Sequence, residues 1–181
     1  NNKYLKNDFG ISTDTFVIGL IGLNDTEFIN NLLLFKAVKD LILTGRKIKV
    51  IATGTVSKSL IELNKIEPFI KIYDWLSYEQ FSRLIVVADL FTLIQDDTLR
   101  NRSRFPNKFG DYIAAGRPII MNTIGDLTNY SNKYPFAFYI IKSEFDYVID
   151  KLKEAYNDWM KGEVHYQLIR DIALENSWEK R

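Results

Sequence analysis

The stretch Pro106-Asn107-Lys108-Phe109-Gly110-Asp111-Tyr112-Ile113-Ala114-Ala115-Gly116-Arg117-Pro118-Ile119-Ile120 decides the fold. It reads as a short helix followed at once by an interior strand. Pro106 suits the first helical position, where its missing N–H costs nothing. Gly116 can take the left-handed conformation that closes a helix, and Pro118 keeps the helix from resuming. Ile119, Ile120 and Met121 then form a short apolar run of strand type. A helix N-terminus presents free N–H groups and partial positive charge, a seat for phosphate. Asp111, one turn in, can accept hydrogen bonds from a ribose diol.

The same strand–helix alternation continues on both sides. Upstream, the polar segment 1–14 leads into an apolar strand at Thr15–Leu20 that ends in Ile21-Gly22. A loop to Glu27 follows, with Asp25 or Thr26 as the expected helix cap. Leu32, Phe35, Val38 and Leu41 keep helical spacing over 28–44, and Gly45 ends that helix. Lys47–Ala52 is the second strand, closed by Thr53-Gly54. Ser57 is expected to cap a short helix to Asn64, and Phe69–Tyr73 is the third strand. Ser77-x-x-Gln80 is a capping-box pattern ahead of the next helix. Leu90–Ile94 is the fourth strand, and 96–105 reads as a polar, Arg-rich loop. Downstream of the opening stretch, Phe136–Ile141 is the sixth strand. Ser143 is expected to cap a helix over 144–160, and a last helix runs from Glu163 to Asn176, containing the only histidine, His165.

Short apolar strands separated by helices imply a parallel sheet covered on both faces. The expectation is one doubly wound, Rossmann-like α/β domain of about six strands over residues 1–181, with 163–181 as a C-terminal helix region. Ligands in such folds bind beyond the carboxyl ends of the strands. That directs attention to the loops 22–27, 53–57, 74–77, 95–108 and 122–126.

Composition narrows the function. The chain of 181 residues can bury one good-sized core, and 46% hydrophobic with 26% charged residues is ordinary for a globular domain. A net charge of +1 makes no electrostatic case for nucleic acid or an acidic membrane. The lack of cysteine excludes disulfides and thiolate chemistry and fits a reducing compartment. No apolar run approaches the roughly 18–20 residues that span a bilayer, and the polar opening gives no sign of a signal peptide. Asp96-Asp97 is a weak metal-site pattern, because adjacent acids in a loop point apart. Gly-x-Gly-x-x-Gly is missing after the first strand, which leaves a dehydrogenase without support.

The pattern Pro-x-Lys-x-x-acid-Tyr-x-Ala-x-Gly-basic-Pro, followed by apolar residues, resembles the donor-binding motif of GT-B glycosyltransferases. It is most similar to the large retaining group known as family 4, or glycosyl transferases group 1. Supporting pieces occur in the same order: Phe16–Gly22, Val50–Gly54, Tyr73-Asp74-Trp75-Leu76-Ser77, Ala88-Asp89-Leu90 and Asn176-Ser177-Trp178. The resemblance spans nearly the whole chain but only the C-terminal, nucleotide-sugar half of a GT-B enzyme. It therefore implies that an N-terminal acceptor domain lies outside this chain, and that the chain alone would bind donor without turning it over. It implies a UDP- or GDP-linked sugar as substrate, no cofactor or metal, and no nucleic-acid partner. It also implies a glycan or lipid-linked acceptor in polysaccharide biosynthesis, and a cytoplasmic location at the inner face of the membrane.

Residue by residue, the resemblance places donor contacts at Gly22, Asn24, Gly54, Trp75, Pro106, Asn107, Lys108 and Asp111. Two departures stand out. The family's first acid falls on Ser103, and its Arg and Lys at the end of the first strand fall on Leu23 and Phe28. Arg100, Arg102 and Arg104 offer compensation, since alternate residues of an extended segment point the same way and could clamp one diphosphate. With Lys108, Arg102 and Arg104 are the candidates for stabilising the leaving group. Two other readings stay open: an epimerase-like enzyme of the same fold, and a non-catalytic Rossmann-like binding or regulatory module.

Overall fold

Alternation along the first strand sets the two faces of the sheet. In the computed structural model, which describes residues 2–176, β1 (Phe16–Leu23) sends Phe16, Ile18 and Leu20 into one apolar cluster and Val17 into another. It is joined by β2 (Ile48–Gly54), β3 (Ile70–Tyr73), β4 (Leu90–Leu93), β5 (Ile119–Met121) and β6 (Phe138–Ile140). All neighbouring pairs are parallel, in the order β3-β2-β1-β4-β5-β6. The chain builds outward from β1 to β3, then returns to lay β4 on the other side of β1. The switch point, where Rossmann-like sheets bind ligands, lies between β1 and β4.

The helices are α1 (Asn2–Asp8), α2 (Asp25–Asn30), α3 (Leu32–Leu43), α4 (Lys58–Asn64), α5 (Tyr78–Val87), α6 (Leu99–Arg102), α7 (Asn107–Ala114), α8 (Leu127–Lys133), α9 (Phe145–Lys161) and α10 (Tyr166–Glu175). On one face, α3 and α9 cover Ile18, Val50, Leu90 and Ile120. On the other, α7 and α10 cover Phe91, Leu93, Ile119 and Phe138, while α5 covers Val17 and Ile51. Phe91 lies so close over β1 that a Cβ on Gly19 would stand 2.4 Å from its ring, so only glycine fits there. The lead-in segment is helical and pinned by charge. The Lys6 ammonium is buried 2.6 Å from the Asp89 carboxylate and donates to the Thr15 carbonyl at 2.9 Å.

The opening stretch folds as a helix and strand, α7 into β5. Gly116 takes φ +69, its N–H donating to the Ile113 carbonyl and that of Arg117 to the Tyr112 carbonyl, a Schellman closure. Pro106 differs from expectation by one place. It is the N-cap, with ψ 120, and its carbonyl accepts from the Phe109 N–H, so Asn107 is the first helical residue.

Other differences have local causes. The expected helix over 28–44 is two helices, because Asn31 turns its side chain inward to bond the Glu27 carbonyl and the Thr92 hydroxyl. Asn24 caps α2, not Asp25 or Thr26. Ser57 stands at the N-cap of α4 as expected, but without a side-chain cap bond, since its hydroxyl and N–H both donate to Asp25; those bonds hold the Asp25 carboxyl below its ordinary range. Ser143 caps nothing; Glu144 stands at the N-cap of α9, without a side-chain bond. The Ser77–Gln80 capping box is present. His165 precedes α10 and meets Phe136 edge-on. The Ser177-Trp178 part of the resemblance lies outside the described residues.

Candidate functional site

Three elements converge at the carboxyl end of β1. Gly22 there has φ +67, and its N–H donates to the Thr53 hydroxyl at 3.1 Å. Gly54 at the end of β2 has φ +127, and a Cβ on it would fall 2.1 Å from the Leu23 carbonyl oxygen. Glycine is thus required for β2 to pass the irregular end of β1. From the first turn of α7, Lys108 reaches across: its Cε would lie 3.6 Å from a Cβ on Gly22, and its Nζ stands 3.3 Å from the Glu27 carboxylate of α2. The ammonium therefore sits at the switch point, held by one acid.

Tyr112 fixes α7 against this end of the sheet. Its ring stacks on Phe91 at 4.0 Å, and its hydroxyl accepts from the Ile21 N–H at 3.1 Å. Burial pushes that hydroxyl's pKa up, so it stays protonated.

Asp111, a third of a turn from Tyr112, faces elsewhere. It lines a cavity of about 580 Å³ between α5, α7 and α10, with Tyr78, Ser82, Arg117 and Arg170. Among the described residues, no hydrogen bond or ion pair reaches its carboxylate. Asp111 is exposed to solvent at the cavity wall, and partial desolvation raises its pKa above the ordinary value. Arg117 is spent on structure, closing the end of α5 through the Val86 and Ala88 carbonyls and lying over the Tyr166 ring.

The structure corrects the arginine clamp. Residues 99–102 are helical, so Arg100, Arg102 and Arg104 do not alternate along an extended segment. Arg102 forms a two-bond pair with Asp97, at 2.6 and 2.7 Å, which holds the Asp97 carboxyl below its ordinary pKa. Asp96 accepts from Asn101, so the adjacent acids are both engaged by protein. Arg100 and Arg104 are exposed. Asn24 is likewise committed, its side chain accepting from the Glu27 N–H. Asn107 is exposed at the start of α7, and Ser103 donates to the Arg100 carbonyl. Trp75 is not core; it is 93% exposed in the loop between β3 and α5.

Glu27, Thr53 and Tyr112 escaped the sequence reading as site residues. Two of them fall in the loops flagged after β1 and β2. Tyr112 sits inside the motif but reads as an ordinary buried aromatic.

Comparison with solved structures places this fold. A glycosyltransferase from Rickettsia africae superposes with a TM-score of 0.73 at 15% identity, over 97% of this chain and 47% of the other. HepE from Anabaena, solved with UDP and glucose, gives 0.71 at 14% identity, over 95% of this chain and 47% of the other. The C-terminal domain of LpcC, a glycosyl transferase group 1 family protein from Francisella tularensis, gives 0.70 at 12% identity, over 96% of this chain and 91% of that domain. The chain has the fold of one half of a GT-B glycosyltransferase, and spans about half the length of the two longer proteins. No protein-family model matches the sequence, and no curated protein matches it either.

Proposed function

We propose that this chain is the donor-binding domain of a glycosyltransferase that takes a nucleoside-diphosphate sugar and transfers the sugar to an acceptor hydroxyl. The observation that carries the reading is Asp111: a carboxylate with no protein partner among the described residues, lining a large cavity in the position that resembles the family's ribose-binding acid. A ribose diol offers two O–H donors, which a carboxylate can accept together.

From Asp111 the nucleotide would run toward the switch point. There Lys108 and the free N–H groups at the start of α7 meet the diphosphate. As the bond between the sugar's anomeric carbon and the diphosphate oxygen breaks, charge grows on that oxygen. A preorganised ammonium and N–H dipoles stabilise it. The acceptor oxygen bonds to the anomeric carbon and passes its proton to the departing diphosphate oxygen. Retention of configuration, and independence from a metal, belong to this proposal by resemblance. So do an acceptor domain elsewhere in the protein, lack of transfer by this chain alone, polysaccharide biosynthesis, and work at the cytoplasmic face of a membrane. Among the described residues no helix is long and apolar enough to cross one.

Calorimetric titration with UDP, GDP, ADP, dTDP and CMP tests the reading. One diphosphate should saturate the protein, and Asp111→Asn, which keeps the shape but one acceptor oxygen fewer, should weaken it at least tenfold. Absence of binding by every nucleotide to the folded chain would refute it.

A further inference from the structure

The Glu27 carboxylate has accepting capacity that the fold does not use. It stands 3.3 Å from the Lys108 Nζ, and its side chain keeps 17% exposure at the switch-point crevice. Among the described residues no hydrogen bond reaches either of its oxygens. An ionised carboxylate accepts at about four lone-pair sites, so the ion pair leaves most of them open. The backbone beneath is fixed on both sides. The Glu27 N–H donates to the Asn24 side chain at 3.0 Å, and its carbonyl accepts from the Asn31 side chain at 2.8 Å. The next residue, Phe28, is fully buried. Glu27 is therefore presented from a rigid base, as a recognising group must be.

Its neighbour states what can reach it. Lys108 is the cation that the diphosphate takes up in the reading above. A bare diphosphate competes with Glu27 for that cation and sets like charges close together. A sugar diphosphate brings something more, hydroxyls on the carbons near the breaking bond. Each O–H can donate to the carboxylate, and such charge-assisted bonds are about twice as strong as neutral ones. The ribose hydroxyls belong with Asp111, which leaves the transferred sugar to supply donors at the diphosphate end. An acidic sugar would add a further negative charge beside Glu27 and the diphosphate, so the matching class is uncharged.

We infer that Glu27 reads the transferred sugar, its carboxylate accepting from two neighbouring hydroxyls of a neutral hexose. It is a specificity residue that favours the loaded donor over the bare diphosphate. The inference rests on the donor reading and names the sugar class for that same site. Once the sugar has left, Glu27 loses those donors, pairs again with Lys108 and loosens the diphosphate.

Calorimetric titration of the 181-residue chain tests this by pairing UDP, GDP, ADP and dTDP with UDP-glucose, GDP-mannose, ADP-glucose and dTDP-glucose. The quantity read is the dissociation constant of the diphosphate divided by that of its hexose donor, for the base that binds. Glu27→Gln keeps the shape and replaces a charged acceptor with a neutral one. It should lower that ratio about tenfold, the diphosphate tightening while the donor weakens. Glu27→Asp keeps the charge but draws the oxygens back; it should weaken the donor and leave the bare diphosphate within about threefold. Two-dimensional amide spectra report that both variants keep the fold. If Glu27→Gln tightens both ligands alike, so that the ratio falls less than threefold, Glu27 is only the counter-ion of Lys108 and the inference is overturned. That result leaves the donor reading standing. Failure of every diphosphate to bind the wild type would instead refute the donor reading, and this inference with it.

Discussion

Lys108→Met isolates the charge at the switch point. Methionine keeps the unbranched chain that lies against Gly22, 3.6 Å from where a Cβ would stand, and removes only the ammonium. Two unit charges about 4 Å apart interact by about 4 kcal/mol at an effective dielectric constant of about 20. Lys108 realises only part of that. Its side chain is 25% exposed, and Glu27 holds its Nζ at 3.3 Å in the unliganded protein. A charge-assisted hydrogen bond of about 2 kcal/mol is the reasonable net value, so diphosphate affinity should fall roughly 30-fold. The matching nucleoside lacks the phosphates and should lose no more than about twofold, within ordinary scatter for a distant change. Glu27→Gln makes the reverse test. It removes the competing acid and should tighten the diphosphate severalfold. Calorimetry of wild type and both variants, with the tightest diphosphate and its nucleoside, reads all three changes. Equal losses for diphosphate and nucleoside in Lys108→Met would refute the placement of phosphate at Lys108, because only a general disturbance of α7 would act on both.

The other predictions concern neighbouring residues. Arg102→Ala breaks an exposed pair with Asp97, so it should leave diphosphate affinity within about threefold and the urea midpoint nearly unchanged, checked by titration and urea unfolding. Asp111→Asn should bind nucleotide poorly yet unfold at an equal or higher urea midpoint at pH 7. Its carboxyl is raised from 3.8 by desolvation, so between the unfolded and folded values the native state binds more protons. Stability therefore falls as pH rises through that window, and the variant should lack this decline. Gly54→Ala places a Cβ 2.1 Å from the Leu23 carbonyl at φ +127, and should cost about 3 kcal/mol or more by urea unfolding, or prevent soluble expression.

Much of the sheet was legible because its strands are short apolar runs punctuated by glycine. The order of elements from β1 to β6 follows from alternation, and the closure at Gly116 follows from Gly-Arg-Pro. The splitting of 28–44 was not legible, since it turns on Asn31 reaching Thr92 of a strand 61 residues away. The short helix at 99–102 hides in a run of polar residues with no apolar face to reveal it. Its cap, Thr98 accepting from the Asn101 N–H, is local, yet nothing in the composition distinguishes it from a loop turn.

Leu23 and Phe28 show why a departure from a family pattern needs the structure to interpret it. In the resemblance they stand where a basic pair would face the leaving diphosphate, and by sequence they read as a loss. In the fold Leu23 is 1% exposed and Phe28 is fully buried, its ring 5.1 Å from that of Phe35. Both positions point into the core, so restoring Arg and Lys there would bury two charges with no partners, at several kcal/mol each. The positive charge at the switch point arrives instead from the opposite side of the crevice, on Lys108 of α7, and Glu27 keeps it in place one residue before the buried Phe28. In this site, then, a core residue at 28 and a cation at 108 go together: packing α2 inward carries Glu27 to the crevice, and Glu27 positions the lysine.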